Sequence, residues 1–236
     1  GSGKTTTLYA ALNALNSAEK KIITLEDPIE YRLWGIIQIQ VKEKIGFGFA
    51  NGLRSILRQD PDIIMVGEIR DLDTARMAVQ AALTGHLVLA TLHTNDAVSG
   101  LTRLVDMGIE PFLIASTVRG ILAQRLVRSL CPECKKIVES SCLTDLTEVV
   151  KHPSTKIYEP QGCEMCANIG YRGRMGIFEL LSMDAEIGRL VVNNRSADEI
   201  RSYAQKKGFH TLKEDGLLKA NQGITSFAEV LRVTKD

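Results

Sequence analysis

The chain has 236 residues, with 29 basic and 28 acidic side chains, a formal net charge of +1, and 44% hydrophobic residues. This composition is ordinary for a globular protein, and the balanced charge argues against a protein whose main role is to coat nucleic acid or an anionic membrane. The sequence contains no run of about 18 apolar residues, so it predicts no transmembrane helix.

Short apolar runs alternate with helical patterns in the first half of the chain. The runs begin at Ile22, Ile63 and Leu87. Asp71 is placed to cap an Ala-rich helix between the second and third runs. This alternation predicts an α/β fold with a parallel sheet that is covered on both faces. Residues 37–41 alternate with period two, which predicts a half-exposed antiparallel strand.

The second half of the chain lacks the alternation of apolar runs and helical patterns seen in the first half. Residues 127–175 contain cysteines and are interrupted by Pro and Gly, whereas residues 176–236 show short helical patterns. Capping boxes of the S/T-x-x-E type begin at Ser196 and Thr211. We therefore predict three parts, the first of which comprises residues 1–126.

The chain opens on a phosphate-binding pattern. Its first six residues match the second half of G-x-x-x-x-G-K-[ST]; they are Gly1, Ser2, Gly3, Lys4, Thr5 and Thr6. In such a loop the backbone N–H groups surround phosphate oxygens, Lys4 reaches the β- and γ-phosphates, and the Thr5 hydroxyl ligates Mg²⁺. A Gly-Ser linker before Lys-Thr is the alternative. The first glycine of the pattern would precede Gly1, so we expect the sequence to be part of a longer protein.

Acidic residues follow two of the predicted strands. The apolar run at residues 63–66 resembles a Walker B strand that carries Glu68, and Glu26 and Asp27 end the neighbouring run. A carboxylate at this edge of a sheet can hold a metal through water, or can orient or deprotonate an attacking water. Helix capping is the alternative for any one of these acids.

Two histidines bracket the last apolar run. His93 lies at the carboxyl end of this run, within reach of a γ-phosphate, and we predict that it reports the state of the nucleotide to the following helix. For His86 we favour a structural histidine.

Two C-x-x-C pairs point to a metal site. The pairs are Cys131 with Cys134 and Cys163 with Cys166. Four thiolates from two tight turns suit tetrahedral Zn²⁺, with a structural and not a catalytic role. Disulfides or inert thiols are the alternatives, and Cys142 lacks a partner at ligand spacing.

Four arginines are candidates for contact with a nucleotide. Arg54 and Arg58 lie one turn apart on a predicted helix, Arg103 follows the His93 region, and Arg174 lies in a Gly-rich stretch. Each can neutralise charge in a transition state. A solvated surface or a salt bridge is the alternative for each.

Four segments together resemble the signatures of a known family. Residues 1–9, 23–31, 57–71 and 84–96 are similar to the Walker A, Asp box, Walker B and His box of the bacterial type II/type IV secretion ATPase superfamily. The paired cysteines and residues 170–179 resemble its assembly branch, which contains general secretion protein E and pilus-assembly ATPase B. The resemblance covers nearly the whole chain.

The resemblance implies a fold and a set of residue roles. It implies a RecA-like P-loop NTPase core at residues 1–126, a tetracysteine metal-binding subdomain at 127–175 and a helical subdomain at 176–236. Glu26 would activate water, Glu68 would be the Walker B acid, and His93 would couple the γ-phosphate to movement. Nucleotide or interface contacts would be made by Arg54, Arg58, Arg103 and Arg174.

The resemblance also implies a function, cofactors and partners. We expect an ATPase with ATP, Mg²⁺ and Zn²⁺ that forms a homohexamer on the cytoplasmic face of a bacterial inner membrane. There it would bind the cytoplasmic domains of membrane platform proteins and power type II secretion. The alternatives are a pilus-assembly ATPase and an ATP-binding scaffold with little hydrolysis. A RecA-like nucleic-acid translocase is disfavoured by the charge balance and the 5% of aromatic residues.

Overall fold

The computed structural model describes residues 1–138 and 157–235. The helices in this part of the chain are α1 (Lys4–Leu15), α2 (Phe49–Ile56), α3 (Leu72–Leu83), α4 (Ala97–Asp106), α5 (Pro111–Thr117), α6 (Ala185–Val192), α7 (Ala197–Lys206), α8 (Leu212–Asn221) and α9 (Phe227–Thr234). The strands are β1 (Ile22–Glu26), β2 (Ile37–Gln40), β3 (Ile63–Val66), β4 (Leu87–Ala90), β5 (Gly120–Leu130), β6 (Lys136–Val138), β7 (Ile157–Glu159) and β8 (Tyr171–Ser182). The predicted α/β class is confirmed.

The described residues fall into two compact units. The sheet unit contains residues 4–121 and 181–208, and the cysteine unit contains residues 1–3, the described part of 122–180, and 209–235. The chain passes from one unit to the other within β5 and again within β8. The domain boundaries predicted at residues 126 and 175 stay a prediction.

A four-stranded parallel sheet forms the centre of the sheet unit. Its strand order is β2-β1-β3-β4, and the prediction of a parallel sheet is confirmed. Every residue of β1 and β3 is buried, including the polar residues Thr24 and Glu26 of β1. Tyr9 and Leu12 of α1 pack on Ile22, Ile63 and Met65 from these two strands.

The prediction for residues 37–41 was wrong in direction. β2 runs parallel to β1, with Ile37 beside Ile23. In β2 burial is inverted relative to hydrophobicity, because Ile37 is exposed while Gln38 is buried and hydrogen-bonded to Glu26 and Leu33. The alternating pattern therefore indicates a partly exposed strand, but neither its direction nor which residues face inward.

Several helix ends of the sheet unit lie where the sequence predicts them. The Asp71 carboxylate accepts a hydrogen bond from the Thr74 amide at 2.8 Å and caps α3. Ser196 and Glu199 form the predicted capping box of α7. The prediction that Arg54 and Arg58 share a helix needs correction, because α2 ends at Ile56 and Arg58 lies in a following 3₁₀ turn.

The cysteine unit contains most of the long strands β5 and β8, the short strands β6 and β7, and the helices α8 and α9. β5 pairs with β8, and β6 pairs antiparallel with β7. Ile157 of β7 packs with Ala220 of α8 and with Phe227 and Val230 of α9. The predicted capping box at Thr211 begins α8. Among the described residues, no helix is both long and apolar enough to cross a membrane.

Candidate functional site

Three strands of the sheet unit end beside one another. Val66 at the end of β3 lies next to Leu25 of β1 on one side and Ala90 of β4 on the other. The residues that follow these strands therefore share one sheet edge, where parallel α/β sheets bind ligands. A cavity of about 180 Å³ opens at this edge, and its lining includes Lys4, Thr5, Glu26, Asp27, Glu68 and His93. The structure thus brings together predicted site residues from four separate segments.

The amino-terminal end of α1 contributes Lys4 and Thr5 to the cavity. They are the first two residues of the helix, whose unpaired N–H groups and dipole favour an anion at this end. Thr6 is exposed on the first turn of the same helix. Gly1, Ser2 and Gly3 precede α1 in the chain, and Gly3 has φ +82°, a left-handed conformation that favours glycine.

Glu26 is buried, and its carboxylate is held by hydrogen bonds. It accepts from the hydroxyls of Tyr9 and Thr24, and from Gln38 Nε2 at 3.1 Å. All three donors are uncharged at neutral pH. Burial and the hydrogen bond to Glu26 raise the pKa of Tyr9 to about 12, so its hydroxyl remains a donor. Asp27, the next residue, is exposed.

Glu68 is paired with two side chains that can carry positive charge. It forms an ion pair with Arg70, and His93 Nε2 lies 2.9 Å from Glu68 Oε2. Burial opposes ionisation of Glu68, but the hydrogen bonds from Arg70 and His93 outweigh it and lower the pKa of this carboxyl. The side chain of His93 is exposed and Glu68 lines the cavity, so this pair is accessible to a bound anion.

Other predicted residues lie away from this cavity. His86 Nδ1 lies 2.9 Å from the Ala81 carbonyl and 3.0 Å from the Thr84 hydroxyl, which fits the structural role predicted for it. Within the described part of the sheet unit, the exposed arginines Arg54, Arg58 and Arg103 are not in the cavity wall. Arg174 is an exposed residue of β8. The roles of the four arginines stay predictions.

Four residues that contact the acids of the site were not predicted from the sequence. Tyr9, Thr24 and Gln38 surround Glu26, and Arg70 binds Glu68. Two of them carry a sequence signal, because Thr24 and Arg70 each lie two residues from the acid and therefore on the same side of an extended segment. Tyr9 and Gln38 are distant in sequence and carry no such signal.

A second candidate site lies in the cysteine unit. The Sγ atoms of the four cysteines lie within 4.8 Å of one another, with separations of 3.9 Å between Cys131 and Cys163 and 3.8 Å between Cys134 and Cys166. Four thiolates at a Zn–S distance of about 2.3 Å in a tetrahedron are separated by about 3.8 Å. These contacts are too long for disulfide bonds, which measure about 2.05 Å. Cys142 lies outside the described residues.

Two backbone N–H groups donate hydrogen bonds to the sulfur atom of Cys166. The amides of Cys163 and Gly170 each lie 3.2 Å from Cys166 Sγ. Burial opposes ionisation of Cys166, but these donors lower the pKa of its thiol to about 6. Gly170 has φ +78°, and a Cβ there would meet Pro160 Cβ at 2.4 Å, so this turn requires glycine. The residues present therefore fit a tetrahedral zinc ion.

The parallel sheet, the helix that follows the glycine-rich start and the acids at the strand ends define an α/β domain of the P-loop NTPase fold. The chain belongs to the family described as Type II/IV secretion system protein, whose model matches residues 1–232.

Two relatives and one solved structure show the extent of the similarity. Type II secretion system ATPase E of Vibrio cholerae is 53% identical over 237 residues, which are 100% of this chain and 47% of that protein. Type IV pilus assembly ATPase TfpB of Acinetobacter baylyi is 52% identical, over 99% of this chain and 40% of that protein. A crystal structure of the pilus retraction motor PilT with bound ADP matches with a TM-score of 0.72 and 29% identity, over 100% of this chain and 59% of that one. The chain thus spans about half the length of the curated relatives it matches.

Proposed function

We propose that the complete protein containing this chain is an ATP-hydrolysing motor of a bacterial type II secretion system, which powers pseudopilus assembly and protein export. The observation that carries this proposal is the cavity that Lys4, Thr5, Glu26, Glu68 and His93 line together. The similarity to a secretion ATPase over the whole chain supports it.

Each residue of the cavity would have a separate role in hydrolysis of the phosphate bond. Lys4 and the N-terminus of α1 would bind the β- and γ-phosphates, as would the backbone of Gly1, Ser2, Gly3 and Thr6. Thr5 and Glu68 would hold Mg²⁺, which supplies neutralisation of phosphate charge. Glu26 would orient the attacking water and accept its proton, and His93, next to Glu68, would respond to loss of the γ-phosphate.

We infer partners from the same family membership. Six copies would form a ring on the cytoplasmic face of the inner membrane, attached through the cytoplasmic domains of platform proteins. In such a ring Arg54, Arg58, Arg103 and Arg174, which are exposed in this chain, would be available for contacts between subunits or with nucleotide.

We further propose that Cys131, Cys134, Cys163 and Cys166 hold a structural zinc ion. The separations of their Sγ atoms support this, and four thiolates leave no open position for catalysis. Metal analysis of the purified protein should find about one zinc per chain. Metal-free protein with four titratable thiols would contradict the assignment.

The substitution Lys4→Ala tests the ATPase proposal. In the complete natural protein we expect it to lower phosphate release by about 100-fold or more, because a cation at the transferred phosphate is lost. Lys20→Ala, which removes an exposed lysine of the same unit, is the control and should retain activity. Unchanged phosphate release in Lys4→Ala would refute the proposal, and tight ATP binding without hydrolysis in the unsubstituted protein would favour a scaffold.

The relative named as a pilus assembly ATPase supports a second candidate, a motor for type IV pilus extension. Complementation distinguishes the two. The gene should restore secretion in a strain that lacks its type II secretion ATPase and should fail to restore pili in a strain that lacks its pilus assembly ATPase. The opposite pattern would favour the second candidate.

A further inference from the structure

The carboxylate of Glu26 is surrounded by side chains from three elements of the sheet unit. Tyr9 comes from α1, Thr24 from β1 itself and Gln38 from the neighbouring strand β2, where it lies opposite Thr24. Tyr9 donates to Glu26 Oε2, whereas Thr24 and Gln38 donate to Oε1. Because all four side chains are at least nine-tenths buried, the geometry of this group is fixed by packing.

Gln38 is itself held in place by the chain that precedes it. Its Oε1 accepts from the Leu33 amide at 2.7 Å, and its Nε2 also donates to the Tyr31 carbonyl at 3.1 Å. The Tyr31 ring contacts the Tyr9 ring edge to face, with centroids 4.7 Å apart. The connection between β1 and β2 is therefore linked to the Glu26 carboxylate through the hydrogen bonds of Gln38.

The hydrogen bonds leave room for one more partner of Glu26. An ionised carboxylate has about four acceptor positions. Among the described residues, the donors named above fill two positions on Oε1 and one on Oε2. The remaining position on Oε2 is the one with which Glu26, as part of the cavity wall, can accept a hydrogen bond from a water.

Tyr9 connects this carboxylate to the phosphate-binding end of the site. It lies on the same helix as Lys4 and Thr5, five residues after Lys4. A movement of α1 relative to the sheet would therefore change the direction of the free lone pair on Glu26.

We propose that Tyr9, Thr24 and Gln38 are positioning residues for hydrolysis, which aim the Glu26 carboxylate at the attacking water and, through Tyr9, align it with the phosphates bound at the start of α1. This inference rests on the proposed ATPase function and deepens it. None of the three residues is in the described lining of the cavity, so each would act through Glu26.

The substitution Tyr9→Phe tests the inference in the complete natural protein. It removes one hydroxyl and keeps the ring that packs against Tyr31. We expect kcat to fall by about tenfold while KM for ATP changes by less than about twofold, because nucleotide binding is unaffected and water is less well oriented. Tyr203→Phe, which removes a hydroxyl that donates to Asp184 at 2.9 Å on the surface, is the matched control and should change neither quantity.

A second pair of substitutions keeps the test decisive if Tyr9→Phe does not fold. Thr24→Val removes a donor to Oε1 with little change of volume, and Thr24→Ser restores that donor. The inference requires a loss of kcat with little change of KM for ATP in Thr24→Val, and recovery of kcat in Thr24→Ser.

A wild-type kcat in either folded donor-deletion variant would overturn the inference, as would a loss of thermal stability alone. Failure of the ATPase proposal has a different signature, because the unsubstituted protein would then release no phosphate above the level of Lys4→Ala.

Discussion

Glu26 and Glu68 lie at the same edge of the sheet, but the groups around them differ in charge. Glu26 accepts hydrogen bonds from neutral donors, whereas Glu68 is bound by Arg70 and His93. Burial opposes ionisation of Glu68, but hydrogen bonds from Arg70 and His93 lower its pKa, so this carboxyl is a poor proton acceptor. This contrast favours Glu26 as the base and Glu68 as the acid that holds the metal ion and responds to the γ-phosphate.

The substitutions Glu26→Gln and Glu68→Gln separate these roles. We expect Glu26→Gln to slow phosphate release by about 100-fold while ATP binding changes little, because the proton acceptor is lost. Glu68→Gln should weaken the dependence of binding on Mg²⁺ as well as slow hydrolysis. Single-turnover phosphate release and nucleotide titrations at several Mg²⁺ concentrations measure both effects.

The exposed acid Glu19 supplies the matched control, Glu19→Gln, which should behave as the unsubstituted protein. Normal turnover in Glu26→Gln together with none in Glu68→Gln would reverse the assignment.

The positions of Glu26 and Glu68 were predictable because each follows an apolar strand pattern in the adjacent sequence. A strand that ends in an acid places that acid at the sheet edge, so Glu26 and Glu68 followed from strand patterns alone. The hydroxyl of Tyr9 had no such signal, because its contact with Glu26 depends on how α1 crosses the sheet, which the spacing of residues does not encode.

At the scale of elements, the burial of a strand was easier to predict than its direction relative to the neighbouring strand. The apolar runs at Ile22 and Ile63 became fully buried parallel strands, and the caps at Asp71, Ser196 and Thr211 follow from side chains that bond amides three residues away. The alternation around Ile37 was correctly taken as partial exposure. It was wrong as evidence of antiparallel pairing, because an edge strand of either direction buries alternate residues.

An ion-pair network joins two elements of the cysteine unit and predicts a dependence of stability on pH. Glu229 of α9 is buried and accepts from Arg128 of β5 at 2.6 Å and from Arg232 at 2.8 Å. Burial opposes its ionisation, but the two guanidinium groups and the Arg128 amide lower the pKa of Glu229 to about 2. Its ionised form therefore stabilises the fold above its usual pKa of 4.5, and this stabilisation is lost as the pH falls towards 2.

Comparison of the unsubstituted protein with Glu229→Gln measures this contribution. We expect the variant to be less stable at neutral pH by roughly 2 kcal/mol, a value reduced because both arginines are about half exposed. Between about pH 5 and about pH 2.5 the urea midpoint of the unsubstituted protein should fall more steeply than that of the variant. Both proteins carry the same four cysteines and the same other acids, so the difference between the two isolates Glu229. Parallel curves would show that Glu229 contributes no pH-dependent stability.

At the scale of the whole molecule, each of the two compact units is assembled from separate stretches of the sequence. The helices α6 and α7 belong to the sheet unit, whereas α8 and α9 belong to the cysteine unit. Local patterns predicted these helices but not their distribution, because the packing of Phe227 on Ile157 joins segments that are far apart in sequence. The division at residues 126 and 175 was drawn from changes in composition along the chain and stays a prediction.

Because each unit has its own core, removal of zinc should affect the two units differently. β6 and β7 have three residues each, and strands of this length are not stable without support. If the four thiolates bind zinc, the free energy of binding is also free energy of folding for the segments that carry them. In hydrogen-exchange mass spectrometry, a strong chelator should speed exchange by about tenfold or more in residues 131–138 and 157–170, while the buried strands β1 and β3 keep their protection. Cys166→Ser should reproduce this pattern, whereas Cys142→Ser should retain both the metal and the protection. Equal acceleration in both units, or none in either, would contradict a zinc ion that stabilises the cysteine unit alone.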